Sequence, residues 1–194
     1  MMEEARLNAD SWANALELFD ARNAFVGVTA RSHTEWWLDA AALLRGTARD
    51  PRGWRALDPY EDEIGLERPA PPYPWIEPPA SAADVERFRG MVRELPRPSV
   101  SSLLVLLGIV GMDVSKTWRW EERRPGMERR AADILRRFPD GTRFYSNIGW
   151  TGDHPDFYEQ PVAGMHQFSQ DLWDAGLIAV NDTEVALFWT FESL

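Results

Sequence analysis

Residues 177–191 read LIAVNDTEVALFWTF, and this stretch decides the class of fold. Branched and aromatic residues fill 177–180 and 183–191. Between them Asn181-Asp182 supplies turn chemistry, because short polar side chains tolerate left-handed backbone. The reading is a β-hairpin. Upstream, residues 161–175 place Met165, Phe168, Leu172 and Trp173 at helical spacing, with Gly176 as the stop. Residues 142–150 (TRFYSNIGW) alternate as a strand, and 126–138 (GMERRAADILRRF) form a basic amphipathic helix behind Pro125.

Further toward the N-terminus, residues 8–22 read as a helix capped by Asn8 or Asp10, with Trp12, Leu16 and Phe19 inward. Residues 24–30 (AFVGVTA) form a short strand. Ser32 to Glu35 match a capping box for a helix carrying Trp36, Trp37, Ala40, Leu43 and Leu44 up to Gly46. A second box, Ser81 to Asp84, opens a helix with Val85, Phe88, Val92 and Leu95 inward, ended by Pro96 and Pro98. Residues 99–112 are apolar all round and read as a buried helix, although periodicity alone leaves a buried strand open. Trp118 and Trp120 alternate within 114–124 as an extended segment. The expected fold is α+β: a small mixed or antiparallel sheet packed with four to six helices in one domain, 1–194.

Residues 47–80 break this regularity. They hold eight of the fourteen prolines, the acidic cluster Asp58, Glu61, Asp62 and Glu63, and the aromatics Trp54, Tyr60, Tyr73 and Trp75. Proline fixes its own φ and restrains its predecessor, so a long proline-rich acidic loop or arm is expected. Its aromatics either pin it to the core or, as Tyr73 and Trp75, present a recognition surface.

Charge is segregated along the chain. Residues 144–194 contain eight carboxylates and no Lys or Arg, whereas 116–143 carry nine basic residues against five acidic ones; the net charge is −10. This balance disfavours phosphate-backbone binding and favours a basic protein partner. A helix followed by a hairpin also describes a winged-helix DNA reader, but Gln167, Gln170, Asp171, Asp174, Asp182 and Glu184 stand where arginines would be needed. The absence of cysteine excludes disulfides and thiolate catalysis. No secretory leader is evident at the acidic N-terminus, and no apolar run is long enough to span a bilayer, so a cytoplasmic protein is expected.

Chemistry-bearing motifs are sparse. There is no glycine-rich phosphate loop, nucleophile elbow or HExxH, and no cofactor is expected. Asp153-His154-Pro155-Asp156 places a histidine between two carboxylates. With His166 these residues offer a metal-assisted hydrolytic centre as the alternative to an ordinary turn. Ser32-His33 reads as cap chemistry, and the arginine pairs of 123–137 as a salt-bridged face. A phage-type assembly subunit docking through its proline-rich arm is a third possibility. The first expectation is a binding protein, not an enzyme, that captures a basic partner such as a toxin in the manner of an immunity or antitoxin protein. Asp153, Asp156, Glu159, Asp171, Asp174, Asp182 and Glu184 are the steering charges, and Trp150, Phe157, Tyr158 and Trp75 the anchors.

Overall fold

A computed structural model describes residues 7–60, 75–170 and 173–192. In order these form α1 (Ala9–Leu16), β1 (Asn23–Ala30), α2 (Trp36–Leu44), α3 (Val85–Arg89), β2 (Arg93–Leu95), α4 (Arg97–Leu107), α5 (Trp120–Leu135), β3 (Arg143–Ser146), β4 (Trp173–Val180) and β5 (Glu184–Glu192). The five strands make one antiparallel sheet in the order β1-β5-β4-β3-β2. The class is α+β.

The expected hairpin is the centre of that sheet. Leu177 pairs with Phe188 and Val180 with Val185. At the turn, Asn181 Oδ1 accepts the backbone N–H groups of Thr183 at 2.9 Å and Glu184 at 2.8 Å. Both faces of the hairpin are covered. Leu177, Ala179, Ala186 and Phe188 join one cluster with α1, α4 and α5. Ile178, Val180, Val185, Leu187, Trp189 and Phe191 join another with α2, α3 and Trp75. Two-sided burial explains why β4 and β5 read as continuous apolar runs.

Local chemistry sets several boundaries as expected. Asn8 caps α1, its Oδ1 accepting from Ser11 N while Ser11 Oγ accepts from Asn8 N, both at 2.9 Å. Ser81 and Asp84 form the second capping box. The apolar stretch is the helix α4, started by Pro98 in its first turn and stopped by Gly108.

Other expectations are corrected. Residues 161–170 are not helical; the segment from Trp173 is the central strand β4. Gly176 sits inside this strand, where a Cβ would collide with the Trp189 indole. Ser32 does not cap α2: Glu35 is the N-cap and makes no side-chain bond to the helix, while Ser32 turns to Asp39. Val92 and Leu95 do not continue α3, which ends at Gly90 so that Arg93–Leu95 can pair with β3 as the sheet edge. Residues 114–124 are not extended, because a short 3-10 turn and then α5 occupy them, and Pro125 lies inside α5. Of the proline-rich arm, residues 61–74 and with them Tyr73, Glu61, Asp62 and Glu63 lie outside the described residues. So does Leu172. Trp75 is buried edge-on against Phe25, Trp189 and Phe191.

Two polar constructions lock the layers. Trp189 lies directly across from Gly176 and donates its indole N–H to Asp174 Oδ1 at 2.8 Å. At the far side of the core, Arg137 is wholly enclosed and donates to both Asp50 and Glu184 at 2.6–3.1 Å. Its guanidinium also lies within 5.1 Å of the Trp12 and Trp54 ring centroids. Burial alone would lower the Arg137 pKa, but the two carboxylates outweigh it and hold the value above normal. Removing one partner of such a network strands buried charge, so Arg137→Ala should cost about 3–5 kcal/mol in urea unfolding. Gly176→Ala should cost about 1–3 kcal/mol by overpacking. A near-native midpoint for either variant would show that these contacts do not hold the layers.

Candidate functional site

The largest solvent-facing aromatic among the described residues is Trp118, which is 74% exposed. Its display is a consequence of local backbone. α4 ends at Gly108, a position kept as glycine because a Cβ would strike the Leu18 carbonyl. The chain then makes two 3-10 turns, Val110–Met112 and Val114–Lys116. Three residues here have left-handed backbone: Gly111 (φ 73°), Met112 (φ 48°) and Arg119 (φ 54°). For non-glycine residues that conformation costs about 1–2 kcal/mol each, so surrounding contacts must hold it. Gly111 N–H donates to Glu192 at 3.1 Å, and Glu192 is ion-paired to Arg22. Asp113 accepts from the Ser115 N–H at 3.0 Å and hydroxyl at 2.6 Å. Val110 is exposed on the same segment. The Arg119 guanidinium covers the Trp118 ring at 4.9 Å.

Residues 151–160 form a loop clamped to the same end of α5. Gln160 Oε1 accepts from Thr151 N at 3.0 Å and Gln160 Nε2 donates to Thr151 O, closing the loop at its neck. Within it Asp156 Oδ1 accepts from Tyr158 N at 2.9 Å, the turn chemistry expected of Asp-His-Pro-Asp. Phe157 is buried against Trp150. Tyr158 packs edge-on against Trp120 at 5.2 Å, under the Arg124 guanidinium, and its hydroxyl bonds Glu128. Burial first, and then the adjacent Glu128 carboxylate, push the Tyr158 pKa well above the ordinary tyrosine value. Trp120, two residues beyond Trp118, touches the loop through Tyr158, so the segment that carries the exposed indole and the acidic loop both lie at the start of α5.

Asp153, Asp156 and Glu159 are exposed there and make no ion pair among the described residues. Along α5, by contrast, internal pairing is extensive: Arg119 with Glu122, Arg124 with Glu128, Arg130 with Glu17 and Arg136 with Asp133. That is part of the salt-bridged face expected from the arginine pairs of 123–137; Arg137 is instead enclosed in the core, and Arg123 and Arg129 make no ion pair among the described residues. Glu121, which follows Trp120 in the first turn of α5, is exposed and makes no ion pair among the described residues.

The remaining carboxylates expected to steer a partner lie elsewhere. Asp182 is exposed at the β4–β5 turn, toward the Arg143 end of β3 and away from this loop. Asp171 lies outside the described residues. Glu184 is enclosed by Arg137 and Arg52. Asp174 has no exposed surface. It accepts from the N–H groups of Phe168 and Ser169, the Ser169 hydroxyl, Asn147 Nδ2 and Trp189 Nε1, at 2.7–3.2 Å. Neither carboxylate can contribute to a surface rim. Trp150 and Phe157 are core, as is Trp75, and Tyr158 is half-buried; no anchor among them faces solvent fully. The exposed indole is that of Trp118, which an alternation pattern does not single out.

His154 is exposed on the acidic loop, whereas His166 sits on a strand-like segment whose N–H donates to Asn147 O at 2.9 Å. Among the described residues no three His, Asp or Glu side chains group so as to hold a metal ion. Ser32, His33 and Asp39 do meet, but without the order a nucleophile needs. Ser32 Oγ donates to Asp39 Oδ1 at 2.6 Å, and His33 Nδ1 faces that same oxygen at 2.7 Å. Serine and imidazole therefore both serve the buried carboxylate, and the serine is oriented by Asp39 instead of being activated by His33. No helix among the described residues is long and apolar enough to cross a membrane. No protein-family model matches the chain, and comparisons with curated proteins and with solved structures found no match.

A raised tyrosine pKa favours the neutral phenol in the fold. Its stabilisation is fully present below about pH 10, the unfolded value, and declines as pH rises above it. Tyr158→Phe should cost about 1 kcal/mol at neutral pH and flatten that alkaline decline, read from urea midpoints on both sides of pH 10. An alkaline decline identical in both proteins would place the titration elsewhere.

Proposed function

We propose that this protein is a binding protein that captures a basic protein partner, in the manner of an immunity or antitoxin protein. The contact is the surface where α5 begins. The single observation that carries this reading is the display of Trp118 by strained backbone at the end of α5 to which an unpaired acidic loop is clamped. An exposed indole offers large apolar area with one hydrogen-bond donor, which is what interface anchors use. Asp153, Asp156, Glu159 and Glu121 supply a negative rim, and rim charge acts mainly on encounter rate and partner choice. The overall charge of −10 favours the same class of partner.

This surface replaces the wider acidic face anticipated from the charge segregation of the chain. Glu184 and Glu192 are neutralised by arginines, and Asp174 serves the interior. Four carboxylates and one indole make a smaller and more specific contact.

The test is affinity capture from the native host with wild-type protein, Trp118→Ala, and an Asp153→Asn/Asp156→Asn/Glu159→Gln triple variant. Exposed substitutions of this kind leave stability within about 0.5 kcal/mol. Trp118→Ala should weaken binding of the recovered basic partner by about 2 kcal/mol or more. The triple variant should mainly slow association and reduce the salt dependence of binding. Recovery of only acidic or nucleic-acid partners, or equal binding by all three proteins, would overturn the proposal.

A further inference from the structure

On the opposite face of the sheet from Trp118, a cleft of about 470 Å³ opens between the start of α2, the end of α3 and the β2–β3 edge. That volume is in the range of small-molecule sites. Its back wall is an aromatic ladder. Trp36 stacks between Trp37 at 4.3 Å and Tyr145 at 5.1 Å, and the Arg143 guanidinium lies over Tyr145 at 5.3 Å. The Trp36 and Tyr145 faces are thus engaged within the protein, and a planar ligand has no free ring to stack upon. What the cleft presents is polar edges above an apolar patch formed by Val92 and the edge of Trp36.

Its charges alternate. Arg89 pairs with Glu35 and Glu86, and Arg143 Nε and Nη2 donate to both Glu94 oxygens at 3.0 and 2.6 Å. Glu94 is held below the ordinary carboxylate range by the Arg143 hydrogen bonds. Each guanidinium keeps unengaged N–H groups, at Arg89 Nε and Arg143 Nη1. The Tyr145 hydroxyl, which feels both arginines, has no partner among the described residues. Glu35 uses only one of its two oxygens. The N-terminal N–H groups of α2 have no capping side chain.

A purely anionic ligand would face Glu35 and Glu94, and a purely cationic one would face Arg89 and Arg143. Either charge alone meets as much repulsion as attraction. A dipolar ligand meets neither penalty, because its carboxylate can take the free guanidinium and phenol donors while its ammonium takes the free Glu35 oxygen. We infer that this cleft binds a free α-amino acid, with the carboxylate between Arg89, Arg143 and Tyr145, the ammonium at Glu35, and the side chain over Val92 and the edge of Trp36. The site is independent of the partner-binding surface, since sheet and core lie between them.

The test follows the Trp36 indole N–H resonance, identified through Trp36→Phe, during titration with glycine, leucine, phenylalanine, glutamate and arginine at millimolar concentration. At least one of these should shift the signal saturably. For that amino acid, the N-acetyl derivative and the α-amide, each lacking one charge, should bind about tenfold more weakly, as expected for one charged hydrogen bond. Arg143→Gln and Glu35→Gln should weaken binding similarly, and Trp118→Ala should not change it. No saturable shift with any of the five, or derivatives that bind as tightly as the parent, would overturn the inference using wild-type protein alone.

Discussion

The carboxylate of Asp174, enclosed at the edge of the central hairpin, is the constraint on which the architecture depends. An unpaired charge there would be too costly to keep, and the structure answers with five donors from three separate segments. Phe168 and Ser169 bring in the chain that precedes β4. Asn147 brings in the end of β3, and its own Oδ1 accepts from Gly176 N at 2.9 Å. Trp189 brings in β5, and to reach the carboxylate its indole must lie flat over position 176, which only glycine leaves open. One buried acid therefore fixes a strand pairing, a loop path and a residue identity together.

Much of the fold was legible where chemistry is local. Asn8, the Ser81–Asp84 box and the hairpin turn at Asn181 all act within four residues, and the apolar run of α4 needs no distant partner to be recognised as buried. Legibility failed where distant contacts decide. The spacing of Met165, Phe168, Leu172 and Trp173 suits a helix, yet pairing with β5 makes the segment from Trp173 a strand. Trp118 and Trp120 alternate as a strand would, but the turns that follow Gly108 and the left-handed backbone at Arg119 leave Trp118 outside. The acidic tail illustrates the same limit for electrostatics. Glu184 meets Arg137 across 47 residues and Glu192 meets Arg22 across 170, so segregation along the chain is not segregation in space. Only Asp153, Asp156 and Glu159 stayed together, because they are close in sequence and lie on one closed loop.

The sheet separates two surfaces of different character. Toward α1, α4 and α5 the outer layer carries paired charges, one strained connection and an indole in solvent. Toward α2 and α3 the cover is thinner and aromatic, and it leaves the cleft over Tyr145 partly open. Each cluster packs on its own side of the sheet, and the central hairpin between them is buried along almost its whole length.

The short edge strand β2 has a consequence for behaviour at high concentration. A row of free backbone groups at a sheet border is a template on which other chains can polymerise. Here the border is three residues long and begins with two charged side chains, Arg93 and Glu94. Arg93 lies across the Trp150 ring at 4.4 Å and donates to the Trp150 carbonyl at 3.2 Å, which tethers its charge at the start of the strand. Shortness and fixed charge together make this flank a poor template for fibril-like growth.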